Sequence, residues 1–371
     1  MKKIIVFGMT ENPGGVESFL MNYYRKMNHD NVHLDFLCNS YNKIAYEDEL
    51  IGYGSKTFHF TPRRENPVVF HRELNDFFQK HAKEYDAIWV NVSSLANIDY
   101  LKLAKKYGIP KRIIHSHNSR NMDSKLRGLL HEHNRKIIDK YATDFWACSQ
   151  DAAKWFYRDD LMPKVKIIHN AIDVSKYQFD AEKRKNVRKQ LGIDENSYVM
   201  GNVGRLHFQK NQMFALDIVA ALKKKKSDVY LILVGQGEDE TKLREKCSKL
   251  GIENQVIFAG MQKDIPGWLS TFDLFLFPSL FEGLSIAALE AQADGLPVLA
   301  SNKVIPEELK INDNFQFFSL DQSAEEWADQ IYENLQYQKR ADEAHIVKQF
   351  KDKGYLIDEE APRLEKMLME D

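Results

Sequence analysis

DLFLFPSLFEGLSIAALEAQADGLPVLAS, residues Asp273 to Ser301, decides how the rest of the chain is read. Leu274 to Phe277 form a short apolar run, rich in aromatics and stopped by Pro278, which reads as a buried strand. Leu284, Ile286, Ala287, Leu289 and Ala291 then follow a helical, largely buried pattern. Gly295 supplies the C′ residue that ends such a helix, and Pro297 prevents its continuation. Pro297 to Ala300 starts the next strand. The unit is strand, loop, helix, strand, with two carboxylates, Glu282 and Glu290, at its ligand-facing end.

Eight residues of helix advance about 12 Å and leave two side chains offset by about 80°. Glu282 is read in the loop before the helix and Glu290 eight residues on, and at that spacing the two suit the opposite ends of one extended ligand. Between them Gly283, Leu284 and Ser285 offer amides at an expected helix N-terminus, a site suited to phosphate. An anionic centre with hydroxyls on both sides describes a nucleotide sugar. The same spacing also fits an ordinary exposed glutamate pair, so the rest of the chain has to decide.

Outward from this stretch, strand and helix signals alternate. Upstream, strands are expected at Lys3 to Gly8, Val32 to Cys38, Lys56 to Phe60, Ala87 to Asn91, Arg112 to His117, Phe145 to Cys148 and Lys166 to Asn170. Helices are expected between them, at Val16 to Met27, Pro67 to Lys83, Leu95 to Tyr107 and the basic stretch Ser124 to Tyr141. Val174 to Ser197 is charged and weakly periodic, and reads as a linker with a short helix. A second series runs from Tyr198 to the last short strand, Phe315 to Ser319, with a charged helical region after it. Such alternation predicts an α/β protein with two doubly wound Rossmann-like domains facing across a cleft. The expected boundaries are 1–172 and 173–349, with 350–371 crossing back onto the first domain. In open sheets of this kind ligands sit outside the carboxyl ends of the strands. Gly14-Gly15, His117, Arg205, Gly260 and Glu282 all follow strands.

Composition narrows the classes. A chain of 371 residues with 43% hydrophobic content fills two cores, and a net charge of −2 argues against a nucleic-acid partner. Residues 1–171 carry 26 Lys and Arg against 20 Asp and Glu, whereas the remainder carries 26 against 34. The first half is thus the one suited to an anionic surface or acceptor. Cys38, Cys148 and Cys247 are far apart and form no paired motif, as expected of reduced thiols in a cytosolic protein. Only Ile4 to Phe7 separate Met1-Lys2-Lys3 from Gly8, so no secretory leader is expected, and no apolar run approaches a membrane span.

The chemistry-bearing residues cluster in a few segments. Gly201 to Asn211, GNVGRLHFQKN, follows a strand and places Arg205 and Lys210 near its end, with Gly204 allowing a tight turn. A departing nucleoside diphosphate gains negative charge as the sugar bond breaks, and fixed cations stabilise that charge most in the transition state. His117 ends a strand of the first domain and could donate a hydrogen bond to a sugar or diphosphate. His115 and His117 share a strand face, but no third ligand stands nearby, so a zinc site is not expected. His131 and His133 diverge on a helix. The chain has no Asp-x-Asp to chelate a metal-bound diphosphate, which favours cations and helix dipoles over a metal.

GGVE (Gly14 to Glu17), HSHN (His115 to Asn118), GNVGRLHFQKN, LVGQGE (Leu233 to Glu238) and PSLFEGLSIAALEAQADGLPVLAS (Pro278 to Ser301) occur in this order. The combination resembles the retaining family 4 glycosyltransferases of GT-B fold, especially the bacterial capsular and exopolysaccharide biosynthesis group. It extends over nearly the whole chain, and the E-x7-E from Glu282 to Glu290 is its most specific part. The resemblance implies that Arg205 and Lys210 bind the donor diphosphate, that Glu282 holds hydroxyls of the donor sugar, and that Glu290 holds the ribose. It places the amides of Gly283 to Ser285 and the Gly14-Gly15 loop at phosphate or sugar, and His117 in the active site beside the donor sugar. Gly260, Met261 and Gln262 would meet the base. Asp294 stands where relatives often carry a small residue, and is expected to be a tolerant position.

The function implied is transfer of a hexose from a nucleotide diphosphate sugar, UDP-linked by expectation, to a saccharide or lipid-linked acceptor. The first domain would bind acceptor and the second the donor, with no cofactor and no metal. Cytoplasmic location is expected, with peripheral contact at an anionic membrane through Lys125, Arg127, Arg135, Lys136 and Lys140. An epimerase or hydrolase on the same fold, and a non-catalytic nucleotide-sugar-binding protein, are the alternatives.

Overall fold

The computed structural model describes residues 1–119, 125–335 and 339–370. Expectations that fall on 120–124, including the start of the basic helical stretch, lie outside the described residues. The chain divides into two compact units, Met1–Ala171 with Ile357–Asp371, and Ile172–Leu356.

The first unit is built on seven strands: β1 (Lys2–Phe7), β2 (Val32–Cys38), β3 (Thr57–His59), β4 (Ala87–Val92), β5 (Lys111–Ser116), β6 (Asp144–Ala147) and β7 (Val165–Ile167). Their order is β3-β2-β1-β4-β5-β6-β7, and every pairing is parallel. The second unit carries β8 (Tyr198–Val203), β9 (Val229–Val234), β10 (Val256–Gly260), β11 (Leu274–Phe277), β12 (Val298–Ser301) and β13 (Phe315–Phe318). Their order is β10-β9-β8-β11-β12-β13, again all parallel. The expected pair of doubly wound Rossmann-like units is therefore present.

Parallel strands covered on both faces are continuous apolar runs rather than alternating ones. Ile4-Ile5-Val6, Leu231 to Leu233 and Leu274 to Phe277 are all buried. Phe70, Leu74, Ile88, Val90, Ile114 and Phe156 belong to one core. Leu216, Val219, Leu231, Leu233, Leu276 and Trp327 belong to the other. In each sheet the strand order reverses beside the first strand of the unit, between β1 and β4 and between β8 and β11. Those are the points at which such sheets leave a crevice for ligands.

Three expectations change. Val174 to Ser197 is not a loose linker. Its helix, Ala181–Leu191, belongs to the second unit and buries Arg188, which is 1% exposed. Apolar periodicity misses this face because arginines supply its buried contacts. The helix expected from Leu95 begins only at Asp99. The backbone at Leu95 is held instead by two side chains: its N–H donates to His131 Nδ1 at 3.1 Å and its carbonyl accepts from Asn134 at 2.7 Å. The crossover expected over 350–371 starts later. Helix Glu343–Asp352 stays with the second unit, and Ile357–Met369 belongs to the first. There Glu365 accepts from the Asn28 amide and from Asn31, both at 2.8 Å.

Candidate functional site

At the carboxyl edge of the second sheet, the loops after β10, β9, β8 and β11 are joined to one another. Gly235 donates its amide to the Gly260 carbonyl at 2.8 Å, and Leu206 donates to the Gln236 carbonyl at 3.0 Å. A Cβ on Gly235 would lie 2.1 Å from the Gly204 carbonyl oxygen, so LVGQGE needs glycine there to let the two loops touch. Leu280 donates to the Gln209 carbonyl at 2.8 Å, and Asn211 Nδ2 to the Pro278 carbonyl at 3.0 Å. The β8 and β11 loops, on either side of the strand-order reversal, thus form one rigid edge.

On this edge Lys210 Nζ lies 2.7 Å from Glu282 Oε1, with the side chains 15% and 6% exposed. Gln209 Nε2 reaches the Phe281 carbonyl at 3.1 Å and Glu282 Oε2 at 3.5 Å. The lysine stem runs beside Gly204, where a Cβ would stand 3.1 Å from Lys210 Cε. Arg205 is placed differently. It is largely exposed and pairs with Glu238, Nη2 to Oε2 at 3.0 Å. Met261 is exposed in the loop after β10, and Gln262 donates back to the Ala259 carbonyl at 2.6 Å.

The helix after β11 spans Ile286–Ala293 and not the longer segment the apolar pattern suggested. Glu282 stands on the loop before it, as the sequence places it, so the helical two-turn spacing to Glu290 does not apply. Ser285 is the extended N-cap residue, and its carbonyl accepts from Leu289 at 3.2 Å. Of Gly283, Leu284 and Ser285, only Ser285 joins the helix start, and the free first-turn amides begin there. Glu290 sits in the second turn, where Tyr177 Oη donates to its Oε1 at 2.6 Å. Burial pushes the Glu290 carboxyl up to about 7, against the lowering pull of the Tyr177 hydrogen bond and of Lys176.

The same helix is anchored at its far end. Asp294, 2% exposed, accepts from Ser270 Oγ at 2.8 Å and is ion-paired with Arg340. Arg340 also donates to the carbonyls of Ser270 and Phe272. Arg184 and Arg188 bind the two oxygens of Asp273, at 2.6 and 2.7 Å. Asp294 is thus a fixed structural residue rather than a tolerant one. Its partner stands 46 residues downstream, out of reach of any local pattern.

In the first unit, Gly14 and Gly15 are exposed at the start of helix Gly15–Tyr24. Glu17 of GGVE is turned inward and closes their loop. Its carboxylate accepts from the Thr10 amide at 2.9 Å, the Thr10 hydroxyl at 2.6 Å and the Gly14 amide at 3.1 Å. His117 follows β5, half-buried, with its Nε2 2.9 Å from Asn91 Oδ1. Burial drives its imidazole down to about 3, so the ring is neutral at working pH. His115 is fully buried, stacked on Trp89 and edge-on to Trp146, with no hydrogen-bond partner for either ring nitrogen among the described residues. Among the described residues no group of three or more His, Cys, Asp or Glu side chains is arranged to hold a metal.

Several supporting residues escaped the sequence reading. Tyr177 and Asn91 lie far in sequence from Glu290 and His117 and left no signal. Glu17 did leave one, since a Glu three residues after a helix N-cap marks a capping carboxylate.

Comparison with known proteins agrees with this architecture. The family model for Glycosyltransferase Family 4 matches residues 13–176, and that for Glycosyl transferases group 1 matches residues 183–359. EpsF of Bacillus subtilis (strain 168), named provisionally as a glycosyltransferase, is 30% identical over 79% of this chain and 77% of its own. The capsular polysaccharide biosynthesis glycosyltransferase CapH of Staphylococcus aureus is 26% identical over 89% of this chain and 90% of its own. The crystal structure of Anabaena HepE in complex with UDP-glucose superposes with a TM-score of 0.81 at 21% identity, covering 99% of both chains, a likeness of fold. With two parallel-sheet units of this order, matched over 13–176 and 183–359 by the two family models and over 79% of the chain by EpsF, the chain belongs to the family 4 glycosyltransferases of GT-B fold.

Proposed function

We propose that this chain transfers a hexose, with retention of anomeric configuration and without a metal, from a UDP-sugar to a saccharide or lipid-linked acceptor in cell-surface polysaccharide biosynthesis. The observation that carries the reading is the Lys210–Glu282 pair at the strand-order reversal of the second sheet. Lys210 meets the diphosphate oxygens, where charge grows as the C1–O bond breaks, and Arg205 adds a second cation. Glu282 accepts from hydroxyls of the donor sugar and Glu290 from those of the ribose. Gly283, Leu284 and Ser285, with the exposed Gly14-Gly15 loop, approach phosphate or sugar, and Gly260 to Gln262 meet the base. His117 lies beside the donor sugar. The acceptor hydroxyl bonds to C1 on the face the phosphate leaves, and its proton passes to the departing phosphate oxygen. The name of CapH supports the pathway, and the UDP-glucose held by HepE supports the nucleotide.

The reading includes peripheral contact with an anionic membrane on its cytoplasmic side. Helix Lys125–Arg135 turns its polar His131 and Asn134 inward and leaves Leu126, Leu129 and Leu130 exposed at 67%, 69% and 40%. Apolar residues outward with cations beside them suit the headgroup boundary of a bilayer. Among the described residues no helix is long and apolar enough to cross a membrane.

The test is a panel of nucleotide sugars offered to the purified chain with saccharide and lipid-linked acceptors. Nucleoside diphosphate release and the anomeric configuration of the product are read by NMR. A glycoside with the donor's configuration is expected from a UDP-sugar. An inverted product overturns retention, and free sugar alone, whatever the acceptor, replaces transfer with hydrolysis.

A further inference from the structure

The first sheet's order reverses between β1 and β4, and three backbone segments meet there: the end of β1 at Phe7-Gly8, the end of β4 at Asn91, and His117 just beyond β5. Asn91 is 1% exposed. Its Nδ2 faces the Phe7 carbonyl at 3.4 Å and the Trp89 carbonyl at 3.5 Å, and its Oδ1 faces His117 Nε2 at 2.9 Å. Turning the amide over would set its oxygen against two carbonyl oxygens, so the surroundings fix which end faces the histidine. An amide oxygen only accepts. The proton of the His117 ring must then be on Nε2, and Nδ1 is left with a lone pair. A neutral imidazole has one donor and one acceptor nitrogen, and the partner of one decides the role of the other.

Two neighbours hold this arrangement. Gly8, at φ +141°, lies so close to Asn91 that a Cβ there would be 2.7 Å from the Asn91 Cβ and 2.6 Å from its carbonyl oxygen. Phe19 packs edge-on to the His117 ring at 5.0 Å, and the His115 ring lies 4.2 Å away. Neither neighbour offers a charge that would favour an imidazolium, and among the described residues Nδ1 has no hydrogen-bond partner.

We infer that Asn91 is a positioning residue that holds His117 as its Nε2–H tautomer, so that Nδ1 meets the ligand as a hydrogen-bond acceptor and the group it takes is a sugar hydroxyl rather than a phosphate oxygen. A phosphate oxygen has no proton to give at neutral pH, whereas every sugar hydroxyl has one. The hydrogen bond from His117 to a sugar or diphosphate, open to the sequence, is thereby reversed in direction. This inference rests on the proposed placement of His117 beside the donor sugar.

Nitrogen NMR on the full chain with labelled histidine reads the tautomer directly, the His117 signals being assigned by their loss in His117→Gln. The native protein is expected to show Nε2 protonated and Nδ1 bare. Asn91→Leu, close in size but without the amide, is expected to give mixed tautomers, and to lower turnover of a UDP-sugar about 10-fold or more. Asn91→Asp is expected to leave an imidazolium at neutral pH, since a carboxylate beside Nε2 favours the charged ring. It also serves if the leucine variant does not fold. A native His117 protonated on Nδ1, or a tautomer unchanged in a folded Asn91→Leu, overturns the inference. A tautomer that shifts while turnover and donor KM stay native upholds the grip of Asn91 and overturns the placement of His117 at the sugar.

Discussion

Lys210 and Glu282 form an ion pair, Nζ to Oε1 at 2.7 Å, in which neither side chain is more than 15% exposed. The pair couples the proposed diphosphate cation to the proposed sugar-binding carboxylate. Two opposite charges this buried are held by each other, and here the cation is the group proposed to meet the leaving phosphate. Each therefore holds the other in place before any ligand arrives.

Removing one member separates stability from chemistry. Lys210→Ala leaves Glu282 buried without its cation, and loss of one member of such a pair costs about 3–5 kcal/mol. Lost stabilisation of the leaving group is expected to lower turnover at saturating donor by about 10²–10³-fold. In Lys210→Met combined with Glu282→Gln, the midpoint of a urea melt is expected to recover toward native while turnover stays low. Near-native turnover in Lys210→Ala at saturating donor removes the role assigned to the lysine.

Donor affinity is expected to follow the ionisation of Glu290. Burial raises this carboxyl from the usual range to about 7. Only the carboxylate accepts from both ribose hydroxyls, so KM for the donor is expected to rise as pH falls through about 7. Glu290→Gln flattens that limb and binds weakly at every pH. The sign for folding is separate. A raised carboxyl favours the native state most below its unfolded value, and that contribution is lost as pH rises through about 7. A pH profile of KM in native and Glu290→Gln protein checks the first part, and a flat native profile between pH 6 and 8 sinks it.

How much could be read in advance depended on distance along the chain. The β8 loop, the β11 loop and the two glycine-bearing turns were legible because each motif is continuous and follows an apolar run. The helix start was misplaced because Leu284 fits the apolar pattern, although the serine directly after it, Ser285, is itself an N-cap signal. Asp294 was misjudged for a different reason. Its surroundings are made by Ser270 and Arg340, one before it and one well after, and burial of a charge is a property of the folded neighbourhood.

Asp294→Ala tests that burial. The substitution leaves Arg340 without its carboxylate in a site where burial and the nearby Arg184 already push its guanidinium down, to about 9. A loss of about 3–5 kcal/mol is expected in a urea melt, since an uncompensated buried charge remains. Asp294→Asn keeps the Ser270 hydrogen bond and should fall between the two. A change within about 0.5 kcal/mol of native, the size usual for surface sites, would mean the pair contributes nothing.

Metal independence has a direct check. Lys210 and Arg205 take the place of a chelated cation in the proposed chemistry, so dialysis against EDTA is expected to leave turnover unchanged. Loss of turnover that magnesium restores would transfer the leaving-group role to a metal.

The proposed membrane contact rests on the outward face of helix Lys125–Arg135. Leu126, Leu129 and Leu130 fall at i, i+3 and i+4 and form one exposed stripe, while the helix packs inward through His131, stacked on Trp155 at 4.2 Å. A surface helix built for water would show the opposite pattern. Co-flotation with vesicles containing phosphatidylglycerol is expected at low salt, weakened by salt because the cations contribute. Leu126→Asp with Leu129→Asp breaks the apolar stripe at its two most exposed leucines without touching the inward contacts. That variant is expected to stay with the soluble fraction at every salt concentration and to retain turnover toward a water-soluble acceptor. If native protein fails to float at low salt, the helix has no membrane role. If the double variant floats as well as native, the contact lies elsewhere on the first unit.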